Sequence, residues 1–178
     1  PVDIRRFGKP HQDLEWVRKR TYEAYAKHYT MAWPFEEHSS GRPFQQSPIY
    51  ENLKNANACF GEKLGWERPN WFAPKSMEPV DHYTYDRQNW FEIVGEEVKA
   101  AREKAVLIDQ TSFAKFEISG PQALDALEYL CANNINKGIG STIYTQMLNN
   151  HGGIECDVTI TRIEDDCFYL GTGTGFVS

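Results

Sequence analysis

The chain has 178 residues and a formal net charge of −6, so it is long enough for one ordinary domain or two small ones. That charge gives no general attraction to nucleic acid or to an anionic membrane surface. No apolar run approaches the roughly 20 residues of a membrane span, and the opening PVDIRRFGKP carries no apolar signal region. We therefore expect no nucleic-acid and no membrane partner, and a cytoplasmic location, or the mitochondrial matrix if the source is eukaryotic. The first residue is not Met, which suggests a processed chain or a piece of a longer one. Cys59, Cys131, Cys156 and Cys167 form no C-x-x-C pair and suit a reducing compartment. His11, His28, His38, His82 and His151 lack metal spacing, so no metal site is expected.

Taken in order, Asp13 precedes Leu14, Val17, Thr21, Tyr22, Tyr25 and Tyr29 at helical spacing. Asp13 suits the positive end of that helix, and Arg18, Lys19, Arg20 and Lys27 read as its solvated faces. The helix should fade by Trp33-Pro34, because a residue before proline avoids the α region. Residues 34–50 are polar and rich in Pro and Gly. The next stretch, with Phe60, Trp66, Trp71 and Phe72 among Gly and Pro, reads as an aromatic-stapled loop packed on a sheet.

A polar connector from Pro74 to Tyr85 is the candidate domain boundary. A helix follows from about Trp90 to Lys104, with Phe91, Val94, Val98, Ala101 and Ala105 as its apolar stripe. Val106-Leu107-Ile108 reads as a short buried strand and Ala114–Ser119 as a second one. Gly120-Pro121 opens a helix to about Cys131, anchored by Leu124, Leu127 and Leu130. The order from residue 90 is then α-β-β-α-β-β-β, an α+β layout with an antiparallel sheet and packed helices.

The hairpin over Ile143–Ile163 closes that pattern. Asn149-Asn150-His151-Gly152-Gly153 tolerates positive φ, so it predicts a looped hairpin with at least one glycine in the left-handed region. On its second strand Ile154, Cys156, Val158 and Ile160 point one way, and Glu155, Asp157, Thr159 and Thr161 the other. Asp is depleted in strands, so Asp157 calls for compensation or a use. A solvated outer face is the plain reading. The last strand is expected over Cys167–Leu170. The following Gly171-Thr172-Gly173-Thr174-Gly175 opens no helix or βαβ unit, so it reads as a flexible tail to Ser178 rather than a dinucleotide site.

Several motifs carry a family resemblance. Gly41-Arg42-Pro43, Ser47-Pro48-x-Tyr50 and the run Phe60–Phe72 (FGEKLGWERPNWF) resemble the central segment of FAD-dependent dimethylglycine and sarcosine dehydrogenases. Tyr144 followed by GG-I-x-x-D ending at Asp157 resembles the folate-binding domain of the glycine-cleavage T-protein, an aminomethyltransferase. That module also closes the dehydrogenase chains.

The resemblance implies a fold and a use. The fold is the first half of an aminomethyltransferase-type folate-binding domain, over residues 76–178, preceded by an irregular aromatic-rich linker segment over 1–75. The use is tetrahydrofolate binding, with the one-carbon unit arriving from oxidative demethylation of an N-methylglycine-type amine. Asp157 matches the residue that faces the folate nitrogens and would be the catalytic one. Tyr144, Phe113, Glu117 and Thr172 match further cofactor-binding positions. FAD belongs to the full-length parent and is not expected on this piece, which lacks a strand–GxGxxG–helix unit. The flavin domain and the second folate half are expected partners, and the piece is not expected to act alone. The alternative is a folate-binding or interaction module without catalysis of its own.

Overall fold

The computed structural model describes residues 7–176, so the end of the tail read from the sequence, Val177 and Ser178, lies outside the described residues. The chain divides into two compact units, one reaching Ser112 and the other starting at Phe113.

In the first unit, α1 spans Leu14–Ala26 and starts where Asp13 predicts: its Oδ1 accepts the N–H of Trp16 at 2.8 Å. The buried face is the reverse of the one the spacing suggests. Leu14 is 84 % exposed, and Tyr22 and Tyr25 are exposed too, whereas Trp16 is buried. Trp16, Arg20, Glu23 and Lys27 form the inward stripe, and polar bonds hold it. Arg20 Nη2 donates to Glu62 Oε2 at 2.7 Å, its guanidinium lying over the Trp16 ring. The Glu23 carboxylate accepts the N–H groups of Ser39 and Ser40 at 2.9 and 2.7 Å and pairs with Lys27 at 2.7 Å. Gly41, at φ +70°, lets the chain pass so close to Trp16 that a Cβ there would lie 2.7 Å from the indole.

The aromatic stretch expected as a loop is regular structure. A short helix α2 (Tyr50–Asn55) leads into an antiparallel hairpin of β1 (Ala58–Lys63) and β2 (Trp66–Phe72). Leu64 and Gly65, at φ +50° and +86°, make its turn. Arg42 joins β2 through two parallel bonds, Nε to Glu67 Oε1 at 2.9 Å and Nη2 to Glu67 Oε2 at 2.7 Å. Trp71 packs with Cys59 and Ala73, and Trp90, Ile93 and Val94 close over them. The last two lie on α3, Phe91–Glu103. Only part of the expected α3 stripe is used there, since Phe91 and Val98 remain exposed. Val106-Leu107-Ile108 is not a strand: no strand pairs with it, and Leu107 is 91 % exposed. Its residues instead edge a cleft of about 510 Å³ with Phe72, Val98 and Ala101.

The second unit is a four-stranded antiparallel sheet in the order β3-β6-β5-β4, with one helix. The strands are β3 (Ala114–Ser119), β4 (Thr142–Leu148), β5 (Ile154–Glu164) and β6 (Cys167–Thr172). Helix α4, Ala123–Leu130, presses Ala123 and Leu127 onto Ile135, Val158, Ile160, Phe168 and Leu170. Each large apolar side chain fully buried here contributes roughly 1.5–3 kcal/mol. Leu124 packs against this core as expected, whereas Leu130, the other expected anchor, is the last residue of the helix and is exposed. The β4–β5 loop puts Gly152 at φ +76°, as the sequence requires. Strand β6 runs on to Thr172, and Thr174–Phe176 form a 3₁₀ turn, so this stretch is more ordered in form than the tail expected. The layout is α+β with an antiparallel sheet. From residue 91 it lacks only the strand expected at 106–108.

Candidate functional site on the open sheet face

Alternation along the strands gives the second unit one apolar face under α4 and one open polar face. The register builds the open face in rows. Tyr144 pairs with Thr159, Thr159 with Gly171, and Gly171 with Lys115. The neighbouring row on one side holds Gln146 and Asp157. On the other side it holds Thr142, Thr161, Tyr169 and Glu117.

Asp157 thus sits where the alternation of β5 places it, exposed on the polar face. Its Oδ2 accepts a bond from Tyr144 Oη at 3.3 Å, across the diagonal between adjacent strands. Its backbone carbonyl accepts the Thr172 hydroxyl at 2.6 Å. Thr172 itself is buried, on the apolar side beside Val158. Its side chain therefore braces the strand under Asp157 and does not join the open face.

The other expected residues separate. Phe113, 37 % exposed, precedes β3 at the end of the sheet where Asp157 lies. Glu117 shares the open face but stands two strands across and two rows along, roughly 16 Å from Asp157 by strand spacing and rise. Tyr144 and Asp157 are the pair that the fold brings into contact. Gly171, centred in the row between Thr159 and Lys115, leaves a flat place in the middle of the face. Gln146, directly opposite Asp157, was missed by sequence reasoning, and only the register of the hairpin could have found it.

A carboxylate, a phenol and an amide on a flat open face can accept and donate hydrogen bonds to the edge of a planar polar molecule. Among the described residues no three His, Cys, Asp or Glu side chains gather as a metal would require. No helix there is long and apolar enough to cross a membrane.

Comparison with known proteins supports the resemblance read from the motifs. Residues 49–178 match the GCVT N-terminal domain, and residues 1–47 match the FAD dependent oxidoreductase central domain. The chain is 40 % identical over 171 residues to 4-methylaminobutanoate oxidase (formaldehyde-forming) of Paenarthrobacter nicotinovorans, covering 96 % of this chain and 21 % of that protein. It is 32 % identical over 209 residues to mitochondrial sarcosine dehydrogenase of Mus musculus, covering 96 % of this chain and 23 % of the other. It thus spans about a fifth of the length of these curated relatives. Among solved structures, glycine cleavage system aminomethyltransferase T from Bartonella henselae superposes with a TM-score of 0.60 at 25 % identity, over 75 % of this chain and 32 % of that one. The chain belongs to the GCVT N-terminal domain family, joined here to an FAD dependent oxidoreductase central segment and akin to N-methylamino acid dehydrogenases.

Proposed function

We propose that this chain is the tetrahydrofolate-binding portion of an FAD-dependent N-methylglycine dehydrogenase of the dimethylglycine or sarcosine type. In that reading residues 1–75 serve as the linker from the flavin domain and residues 76–178 as the first part of the folate module. The observation that carries it is the Tyr144–Asp157 pair on an otherwise open, flat sheet face. The donor set fits the group. A reduced pterin presents N–H donors along one edge, and an ionised carboxylate is a strong acceptor for them.

Bound tetrahydrofolate supplies the nitrogens that take up the one-carbon unit. Everything else is positioning and charge. Asp157 accepts ligand N–H bonds and offsets positive charge that develops near them. Tyr144 holds the carboxylate in one orientation through its 3.3 Å bond. Thr172 fixes the Asp157 backbone from beneath. Phe113 offers a ring at the same end of the sheet, and Glu117 a second carboxylate further along the face. FAD would be held by the flavin domain of the parent, with the N-methylated amine oxidised there.

The 40 % relative is named as formaldehyde-forming, and this favours a second reading. There the one-carbon unit leaves as formaldehyde, and the module binds folate weakly or serves as an interaction module without catalysis. Isothermal titration of the chain with a reduced folate separates the two. Saturable binding that Asp157→Asn weakens supports the first reading, and heats indistinguishable from dilution support the second.

A further inference from the structure

The first unit contains a recess of about 280 Å³ that the folate reading does not use. It lies beside the β1–β2 hairpin and the start of α3, and its character is unusual. Phe35, Trp71 and Trp90 supply aromatic walls, and Glu37 and Asp81 supply carboxylates. Phe35 and Trp90 stand nearly perpendicular, with ring centroids 5.4 Å apart at 81°.

Both carboxylates are built into place. Glu37 Oε2 accepts the N–H of Glu62 at 2.7 Å, and Oε1 accepts Asn70 Nδ2 at 3.1 Å. Asp81 Oδ1 accepts the Trp71 indole N–H at 2.8 Å. All of these donors are neutral, and neither carboxylate is in an ion pair among the described residues. Both charges are half-buried, and the Arg42 guanidinium that Glu37 senses is already engaged by Glu67, so a further cation at the recess is favoured. Burial and the neighbouring Asp81 push the Cys59 thiol up to about 12, so Cys59 adds no further charge at neutral pH. Phe35 holds φ +62°, a strained conformation for a bulky side chain, and it does so at the mouth of this recess.

We propose that the recess binds an organic ammonium cation bearing N-alkyl groups, its methyls against Phe35 and Trp90 and its charge facing Glu37 and Asp81, beside the buried Trp71 whose indole N–H Asp81 holds. Aromatic faces carry negative potential and attract a cation whose surface is apolar. A bare metal ion would need several oxygens at once, and no such cluster exists among the described residues. An anion is repelled by both carboxylates, and a neutral apolar ligand leaves them uncompensated. The volume far exceeds the ~30 Å³ share of one water molecule.

The test compares choline with its neutral isostere 3,3-dimethylbutan-1-ol on the intact 178-residue chain. Indole N–H resonances report the location, because the five tryptophans give separate signals. Choline should shift the Trp71 and Trp90 signals with a Kd of roughly 1 mM, and the isostere should bind at least about tenfold more weakly. Glu37→Gln combined with Asp81→Asn should weaken choline by a similar factor and leave the isostere unchanged. Equal affinity for the two probes overturns the proposal. So does a choline response confined to Trp16, Trp33 or Trp66, or none at all. Should the double variant fail to fold, the two-probe comparison on the unaltered chain decides by itself.

Discussion

Tyr144 Oη and Asp157 Oδ2 stand 3.3 Å apart on neighbouring strands, and this contact joins the two ends of the hairpin motif into one site. The pair is exposed, so it adds little to stability, at most about 1 kcal/mol for such a cross-strand contact. Its use lies in holding a carboxylate still on an open face.

Asp157→Asn should therefore leave folding within about 0.5 kcal/mol of the parent chain, as exposed substitutions usually do. Its effect should appear in the ligand. Losing a charge-assisted bond of roughly 1.5–3 kcal/mol weakens reduced-folate binding about ten- to hundredfold. In the full-length enzyme, anaerobic flavin reduction by the amine should be spared. Unchanged folate affinity, or an equal loss in both quantities, removes Asp157 from the folate site.

Tyr144→Phe offers a graded companion. It keeps the ring and frees the carboxylate, so folate should bind only a few-fold more weakly, and Thr172→Val should act in the same sense through the strand beneath. A loss larger than that of Asp157→Asn in either variant would make Asp157 the lesser contributor to folate binding.

Gly152 and Gly153 differ in what they permit. Gly152, at φ +76°, has open space around it, so Gly152→Val should cost more than about 1 kcal/mol through backbone strain alone. A Cβ on Gly153 would instead lie 2.9 Å from the Asn149 side chain, which is bonded to His151, Gly153 and Glu155 and would have to give up part of that bonding to make room. Urea melts should show both valine variants destabilised, Gly152→Val through backbone strain and Gly153→Val through the Asn149 contacts it disturbs.

Glu23 predicts an acid-dependent loss of stability. Burial pushes its carboxyl upward, but the bonds from Lys27, Ser40 and Ser39 outweigh this and hold it well below the ordinary 4.5. A depressed folded value stabilises the fold above the unfolded pKa, and that contribution fades as pH falls through the folded one. The stability gap between the parent and Glu23→Gln should be constant above about pH 5 and close progressively below 4.5. A gap that widens in acid contradicts the sign.

Arg42 and Glu67 form a buried bidentate pair, with 19 % and 3 % of their side chains exposed. Arg42→Met should cost about 3–5 kcal/mol, because it leaves the Glu67 carboxylate buried and uncompensated. Adding Glu67→Leu should recover much of that loss. Chemical denaturation of the two variants distinguishes a dead weight of charge from simple lost packing.

The second unit was largely legible in the sequence because its code is local. Period-two alternation placed Asp157, Val158 and Ile160 on their faces, and a glycine-containing loop fixed the hairpin. What failed was non-local. The tyrosines of α1 have helical spacing, but Trp16, Arg20 and Glu23 face inward because loop amides and Glu62 await them there. Val106-Leu107-Ile108 has strand composition and no strand beside it to pair with. The separation of Glu117 from Asp157 and the place of Gln146 depend on strand order and register, which no single-strand pattern contains.

The Arg42–Glu67 pair also bears on where such proteins can be cut and rejoined. Arg42 belongs to the segment matched by one family model, and Glu67 to the segment matched by the next. A chimera exchanging partners at residue 48 would split that pair, and Arg20–Glu62 with it. A crossover between Ser112 and Phe113 leaves both intact. Homologous recombination libraries should therefore yield folded offspring at the second junction and few at the first, whatever the sequence families suggest.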